Sequence, residues 1–227
     1  MVAEPSTRTV ERALALLATI CERGGVNLAD SARECDLAPS TALRLLRTLE
    51  TTGFVTREDV GTYRPGSRII QLGAQALSNE SLVSIARPAM ENLVAQTGES
   101  AYLSVEGQRA TALYISIVEG THSVRHTSWV GRTVPLDTSA AGHALRGEVS
   151  DKGYIVIKRG VEADVTAIAS PVCSQARIVA AMSLVIPTYR LTASETKRYG
   201  KMLVSAAAGT SAQLSRPASR SLPERQS

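Results

Sequence analysis

The order of elements imposed on residues 9–65 constrains this chain more than anything else in its sequence. Between Thr9 and Arg23 the apolar residues Val10, Ala13, Leu14, Leu17 and Ile20 recur at three- and four-residue spacing, which predicts an amphipathic helix stopped at Gly24–Gly25. Val26 and Asn27 read as a very short strand. The run LADSARECD fits a second helix with Leu28, Ala32 and Cys35 on one face, broken by Leu37–Ala38–Pro39–Ser40. Ser40 or Thr41 begins a third helix, with Ser40 as the candidate N-cap; this helix buries Leu43, Leu46 and Leu49 and ends at Gly53. Phe54–Arg57 and Thr62–Arg64 then alternate as strands around the turn Glu58–Gly61. Helix, helix, tight turn, helix and hairpin make a winged helix-turn-helix.

The third helix carries the chemistry. It opens with the hydroxyls of Ser40 and Thr41 and then presents Arg44 and Arg47, with no carboxylate from Leu37 through Leu49. Arginine offers a planar fork of donors suited to phosphate and guanine, and a polyanion penalises carboxylates nearby. The pattern predicts that Ser40 and Thr41 contact phosphate or a base edge, Arg44 enters the major groove and Arg47 contacts backbone or base. Arg57 and Arg64 in the hairpin reach flanking phosphates or the minor groove, and Glu58 and Asp59 at its tip point away. Net charge adds little: the chain is +4, yet residues 1–80 hold nine arginines, no lysine and ten carboxylates, so local placement is what counts. A small helical unit with surface arginines, or a winged helix that binds protein, would share much of this pattern.

SRIIQLGAQALSNES, with Ile69, Ile70, Leu72, Ala76 and Leu77 at helical spacing, reads as a helix linking two domains. Beyond it, LVSIARPAMENLVAQTG fits a helix that tolerates Pro88 only near its start or as a kink. Alternating runs follow at Ala101–Val105, Leu113–Val118, HSVRHTSWVGRTVPL, KGYIVIKRG, VTAIASPVC and RIVAAMSLVIP. A short helix starts at DTSAAG, capped by Asp137, Thr138 or Ser139, and ASETKRYGKMLVSAAAGTSAQL closes as an amphipathic helix with Met202, Leu203 and Ala206 toward the sheet. Helices beside an antiparallel sheet define an α+β sensor-like domain.

No run of about 18 apolar residues is present, which excludes an ordinary membrane-spanning helix, and the first helix lacks the continuous apolar core of a secretory signal. A cytoplasmic protein is expected. Cys21, Cys35 and Cys173 have no CxxC spacing, and His122, His126 and His143 have no metal-ligand spacing. Ser139 and His143 stand four apart without a nucleophile elbow, and no glycine-rich phosphate loop occurs, so neither enzyme activity nor a cofactor is expected. Ala140, Ala141 and Gly142 leave room beside a sheet and expose helix N-terminal N–H groups, which predicts a small-molecule pocket for a carboxylate or another anion, with His126, Ser183 and Lys158 as polar lining.

RTVERALALLATI, LAPSTALRLLRTLETTGFV, TYRPGSRIIQLG, ARPAMENLVAQTGESAYL, VGRTVPLDTSAAGHAL, GYIV, VTAIASPV and RIVAAMSLVIP follow one another in the order found in IclR-type bacterial transcriptional regulators, which the chain resembles over nearly its whole length. The resemblance implies an N-terminal winged helix-turn-helix (1–66), a linker helix (67–81) and a GAF-like effector-binding domain with an antiparallel sheet (82–214); the polar tail SRPASRSLPERQS (215–227), with its two prolines, is expected to be disordered. It implies a repressor that binds a palindromic double-stranded DNA operator as a homodimer or a pair of dimers and answers to a small-molecule effector, typically a small organic acid. The recognition helix matches Pro39–Thr51, so Ser40, Thr41, Arg44 and Arg47 take the DNA-contact role. Effector positions fall at His126, Ala140 and Ala141, at Ile157 or Lys158, and at Val165, Ala167, Ser183 and Val185. The chain departs from the family pattern at Asp137, His143, Gly160 and Asp164. Only RGEVSDK stands where the family inserts roughly 35–45 residues, so one flank of the effector domain is expected to be missing or rearranged. A regulator of this fold that no longer senses a ligand, acting constitutively or through a protein partner, is the alternative.

Overall fold

The computed structural model describes residues 7–79, 81–126 and 129–215. The chain divides into two compact units, Met1–Asn79 and Glu80–Ser227.

In the first unit, α1 (Arg8–Arg23) ends where Gly24 turns left-handed (φ 67°) and its N–H bonds the Cys21 carbonyl. After β1 (Val26–Asn27), Asn27 caps α2 (Leu28–Glu34), its Oδ1 accepting from the Asp30 N–H at 2.9 Å. This helix stops short of the predicted end because Asp36 adopts a left-handed conformation (φ 51°) and the Leu37 N–H returns to the Ala32 carbonyl. Next, α3 (Pro39–Thr51) starts one residue earlier than predicted. Ser40 is not its cap. Pro39 occupies the first turn, where its fixed φ suits a helix and its missing N–H goes unmissed, and Ala38 stands at the N-cap without a side-chain bond. The hairpin β2 (Val55–Arg57) and β3 (Thr62–Pro65) is antiparallel, and β3 also pairs with β1, giving sheet order β1-β3-β2. Then α4 (Ser67–Asn79) covers the predicted linker helix, with the side chains of Ala76 and Leu77 outside the described residues.

Two predicted faces shift in register. The core of this unit is Leu16, Ile20, Ala32, Ala42, Leu45, Leu46, Leu49, Val55 and Tyr63. Leu16 rather than Leu14 faces inward, while Val10 and Leu14 remain 54% and 58% exposed. In α3 the buried residues are Ala42, Leu45, Leu46 and Leu49, with Leu43 only half-buried. Both helices are apolar over more than one stripe, and packing against each other and against β3 selects the stripe.

The second unit opens with α5 (Ser81–Thr97). Pro88 lies inside this helix, neither at its start nor buried. The sheet strands are β4 (Ser100–Glu106), β5 (Thr111–Val118), β6 (Thr133–Pro135), β7 (Ile155–Lys158), β8 (Val165–Ser174) and β9 (Arg177–Pro187), all antiparallel in the order β6-β5-β4-β9-β8-β7. A short α6 (Ala140–Leu145) precedes β7, and α7 (Ala193–Leu214) closes the unit. Strand alternation assigns each side chain a face. Leu103, Ile168, Met182, Leu184 and Ile186 pack with α5 and α7, where Tyr199, Leu203 and Ala207 are the buried residues of α7 and Met202 and Ala206 are half-buried. Tyr102, Tyr114, Ala169, Ala181 and Val185 face the side of α6.

RGEVSDK spans from α6 to β7 as two turns, with the Glu148 N–H on the His143 carbonyl and the Gly153 N–H on the Ser150 carbonyl. Val149 packs against Ala140 and Ala144. The flank expected to be missing is thus closed by a short turn. The expected disordered tail lies, from residue 216 on, outside the described residues.

Candidate functional site

On α3 the exposed residues Ser40, Arg44, Arg47 and Thr51 follow one another at spacings of four, three and four, which stacks them along one face. The buried Ala42, Leu45, Leu46 and Leu49 hold the opposite face in the core. Arg44 and Arg47 make no side-chain hydrogen bond or ion pair among the described residues, so both guanidiniums stand in solvent with all donors available. Thr41, half-buried, sits at the edge of this face. Thr51 was not singled out by sequence reasoning; its hydroxyl donates to the Arg47 carbonyl at 2.8 Å.

The hairpin arginines differ from each other. Arg57 is exposed, with its guanidinium carbon 5.7 Å from the centre of the Tyr63 ring. Arg64 is engaged: its Nε donates to Glu58 Oε1 at 2.6 Å and its Nη1 to the Gly24 carbonyl at 3.0 Å. Glu58 thus closes onto its own hairpin.

The second unit holds a cavity between the sheet and α6. Tyr114 of β5, Val185 of β9, Val165 and Ala167 of β8 and Ile157 of β7 line its sheet side, and Thr138, Ser139 and Ala140 its helical side. His126, Trp129, Gly160, Val161 and Glu162 close the rim. Empty space amounts to about 390 Å³ including the mouth. A wider depression of about 1170 Å³ adjoins it and shares His126, Glu162 and Val165.

Of the predicted effector residues, His126, Ala140, Ile157, Val165, Ala167 and Val185 line the cavity; Ala141, Lys158 and Ser183 do not. Lys158 follows Ile157 on β7, so strand alternation sends it to the other face, where it is exposed. Ala141 is buried in the cluster around Tyr102 and Tyr114. Ser183 is buried on the α6 side of β9, between Tyr102 and Ala169, and its Oγ has no hydrogen-bond partner among the described residues. Tyr114, Trp129 and Glu162 went unrecognised in the sequence. Ala112–Tyr114 alternation would have turned Tyr114 to this face; nothing local marks the other two.

The rim is an aromatic cluster. The Tyr102 hydroxyl and His126 Nδ1 are 2.6 Å apart, and His126 Nε2 is 3.4 Å from Glu162 Oε2. Trp129 stands edge-on to His126 with centroids 4.7 Å apart, and Tyr114 is 6.3 Å from Trp129. Burial, and then the Glu162 carboxylate, push the Tyr114 hydroxyl up to about 12; burial foremost pushes that of Tyr102 higher still. Both therefore keep their protons. Gly160 meets the Thr138 carbonyl so closely that a methyl group there would overlap it.

Ser139 and His143 form no nucleophile–base pair. Ser139 Oγ accepts from the Gly142 N–H at 3.0 Å as the α6 cap and donates to the Pro135 carbonyl at 2.6 Å, while His143 Nδ1 faces Glu148 Oε2 at 2.7 Å. Of the three cap candidates Ser139 fills the role, and Asp137 and Thr138 are exposed.

A winged helix-turn-helix followed by a unit of antiparallel sheet and helices defines a class of two-unit α+β proteins. The IclR helix-turn-helix domain matches residues 9–59, and the bacterial transcriptional regulator IclR C-terminal domain matches residues 74–147. The chain belongs to the IclR family. It is 32% identical over 154 residues to the transcriptional repressor IclR of Escherichia coli, a match covering 65% of this chain and 56% of that one; the chain spans little more than half the length of such curated relatives. Among solved structures, an IclR transcriptional regulator from Alicyclobacillus acidocaldarius superposes with a TM-score of 0.80 at 24% identity, covering 92% of this chain and 100% of that one. An IclR homolog from Microbacterium hydrocarbonoxydans, solved in complex with 4-hydroxybenzoate, gives 0.78 at 23% identity, covering 91% and 98%. These two likenesses concern the fold.

Proposed function

We propose that this chain is a cytoplasmic transcriptional repressor that reads a palindromic operator through α3 and answers to a small molecule held in the cavity of its second unit. The observation that carries the reading is the stacking of Ser40, Arg44 and Arg47 on one exposed face of α3, with both arginines unpaired among the described residues. Such a face loses nothing internal when it docks against phosphates and base edges. Arg57 extends it from the hairpin, whereas Arg64 braces the hairpin. The Escherichia coli relative, named a transcriptional repressor, supports the same reading.

Two-fold operators call for a two-fold reader. Val10 and Leu14, one turn apart on α1 and both exposed, support self-association of the first unit as a homodimer or a pair of dimers. The cavity supports ligand control, as does the 4-hydroxybenzoate bound by the homolog from M. hydrocarbonoxydans.

The test is titration of the purified chain into labelled duplex DNA from upstream of its own gene, at several salt concentrations. The proposal expects a specific complex whose affinity falls steeply with salt, because bound arginines displace counterions. Equal affinity for the upstream fragment and for shuffled DNA of the same composition overturns it.

A further inference from the structure

We propose that Arg190 and Ser100 are positioning residues of the ligand site: together they hold segment 120–126 so that the His126 ring closes the rim of the cavity beside α6. The inference rests on the reading of this cavity as the ligand site and names what sets its rim.

The segment has little of its own to hold it. It leaves β5 after Val118 and reaches His126 with no strand or helix on the way. Thr121, Ser123, Val124 and Arg125 are exposed, so burial of apolar surface does not fix its path. The start of β4 fixes its backbone instead. The buried Ser100 hydroxyl accepts from the Gly120 N–H at 3.0 Å and donates to the His126 carbonyl at 3.3 Å. One oxygen thus ties the first residue of the segment to the last. The Thr121 N–H adds a bond to the Gly98 carbonyl at 2.9 Å.

The middle of the segment has a second anchor. Arg190 lies in the single turn Thr188–Arg190 between β9 and α7, and its Nη2 donates to the Val124 carbonyl at 2.9 Å. The buried Glu99 carboxylate holds that guanidinium at both Nε and Nη2, which fixes the direction in which its remaining donors point. His122 Nε2 stands 3.7 Å from the same carboxylate.

Alternation along β4 joins these anchors to the cavity. Ser100 and Tyr102 are two residues apart and share the face toward α6. Ser100 meets the His126 carbonyl, and the Tyr102 hydroxyl lies 2.6 Å from His126 Nδ1. Burial keeps the proton on Tyr102, so its hydroxyl donates to Nδ1 and the neutral ring carries its own proton on Nε2, toward Glu162. Trp129 stands edge-on to that ring at 4.7 Å, and both line the cavity. Arg190 and Ser100 do not line it; they act through His126.

Trp129 is the single tryptophan of the chain, so its emission reports the rim with no ligand present. The experiment compares the emission maximum and acrylamide quenching of the full chain with those of Arg190→Lys, Ser100→Ala and His126→Gln. Each of the first two is also combined with His126→Gln, and circular dichroism checks the fold. Arg190→Lys keeps the charge but lacks the planar fork that reaches Glu99 and Val124 together. Ser100→Ala removes both end bonds and adds no bulk. The proposal expects a red shift and stronger quenching in each single variant. It expects no further change when Arg190→Lys or Ser100→Ala is added to His126→Gln, because an effect exerted through the ring vanishes with the ring. A merely stabilising role lowers the melting temperature and leaves Trp129 emission as in wild type, which overturns the proposal. So do effects that add in full to that of His126→Gln. If Arg190→Lys fails to fold, Ser100→Ala and its double variant decide the question. Failure of the ligand reading looks different: no small molecule then perturbs Trp129 in the wild-type chain, while the variants still shift its emission.

Discussion

The Arg190 guanidinium clasps the Glu99 carboxylate at two points, Nε to Oε1 at 2.7 Å and Nη2 to Oε2 at 2.9 Å, with Glu99 only 1% exposed. The same Nη2 donates to the Val124 carbonyl at 2.9 Å, so the pair also fixes the loop that leads to His126. The hydrogen bond to Glu99 raises the guanidinium further above its ordinary value. Arg190→Met leaves the buried carboxylate with only His122 Nε2, 3.7 Å from its Oε1. Such losses cost about 3–5 kcal/mol in full burial; with Arg190 itself 24% exposed, about 2–3 kcal/mol is expected in chemical denaturation.

Ser183 predicts the opposite sign. Its Oγ is buried without a partner among the described residues, and an unmet hydroxyl costs free energy that a methyl group does not. Ser183→Ala should raise stability by about 1 kcal/mol, read as a shift in denaturation midpoint at unchanged slope.

Thr192 caps α7 through a reciprocal pair: its hydroxyl accepts from the Glu195 N–H at 3.2 Å, and Glu195 Oε2 accepts from the Thr192 N–H at 2.9 Å. The Thr192 N–H, and the Thr192 hydroxyl that donates to Glu195 Oε2 at 2.8 Å, hold the Glu195 carboxyl below its ordinary 4.5. A depressed carboxylate contributes stability above its unfolded value and loses it as the pH falls through its folded one. Thr192→Ala should lower the melting temperature at neutral pH, and the gap from wild type should narrow as the pH drops below 4.5.

Arg57 and Arg64 separate reading from bracing. Arg57 is exposed and holds only a ring contact, so Arg57→Ala should weaken DNA binding with little change in melting temperature. Arg64 bridges Glu58 and the Gly24 carbonyl, so Arg64→Ala should loosen the hairpin and lower the melting temperature as well. A purely electrostatic role for both would give equal DNA effects and no thermal difference.

Much of this was legible in the sequence where a local rule decides it. Gly24 ends α1, Ser139 caps α6, and the hairpin around Glu58–Gly61 forms because turn residues stand between short alternating runs. What was not legible depends on packing partners. Val10 and Leu14 share a periodic stripe with Ile20, yet the core takes Leu16 instead, and periodicity has no term for which of two apolar stripes is covered. Pro39 displaced Ser40 as the residue that sets the start of α3, a competition between two valid start signals. At the cavity, alternation along β7 forces a choice between Ile157 and Lys158, and the burial of Ile155 on the α6 side resolves it. Trp129 and Glu162 come from irregular segments, and only the folded sheet brings Glu162 within reach of His126.

The most direct measurement is the affinity of Arg44→Ala and Arg47→Ala for the upstream operator, taken as a function of salt and compared with wild type. Each substitution should weaken specific binding by about ten- to a hundredfold and leave the melting temperature unchanged, since neither exposed side chain holds a hydrogen bond or ion pair among the described residues. A substitution to a phosphate-contacting position should also flatten the salt dependence by about one unit. Wild-type affinity and salt slope in both variants would contradict the account of α3 as the reading element.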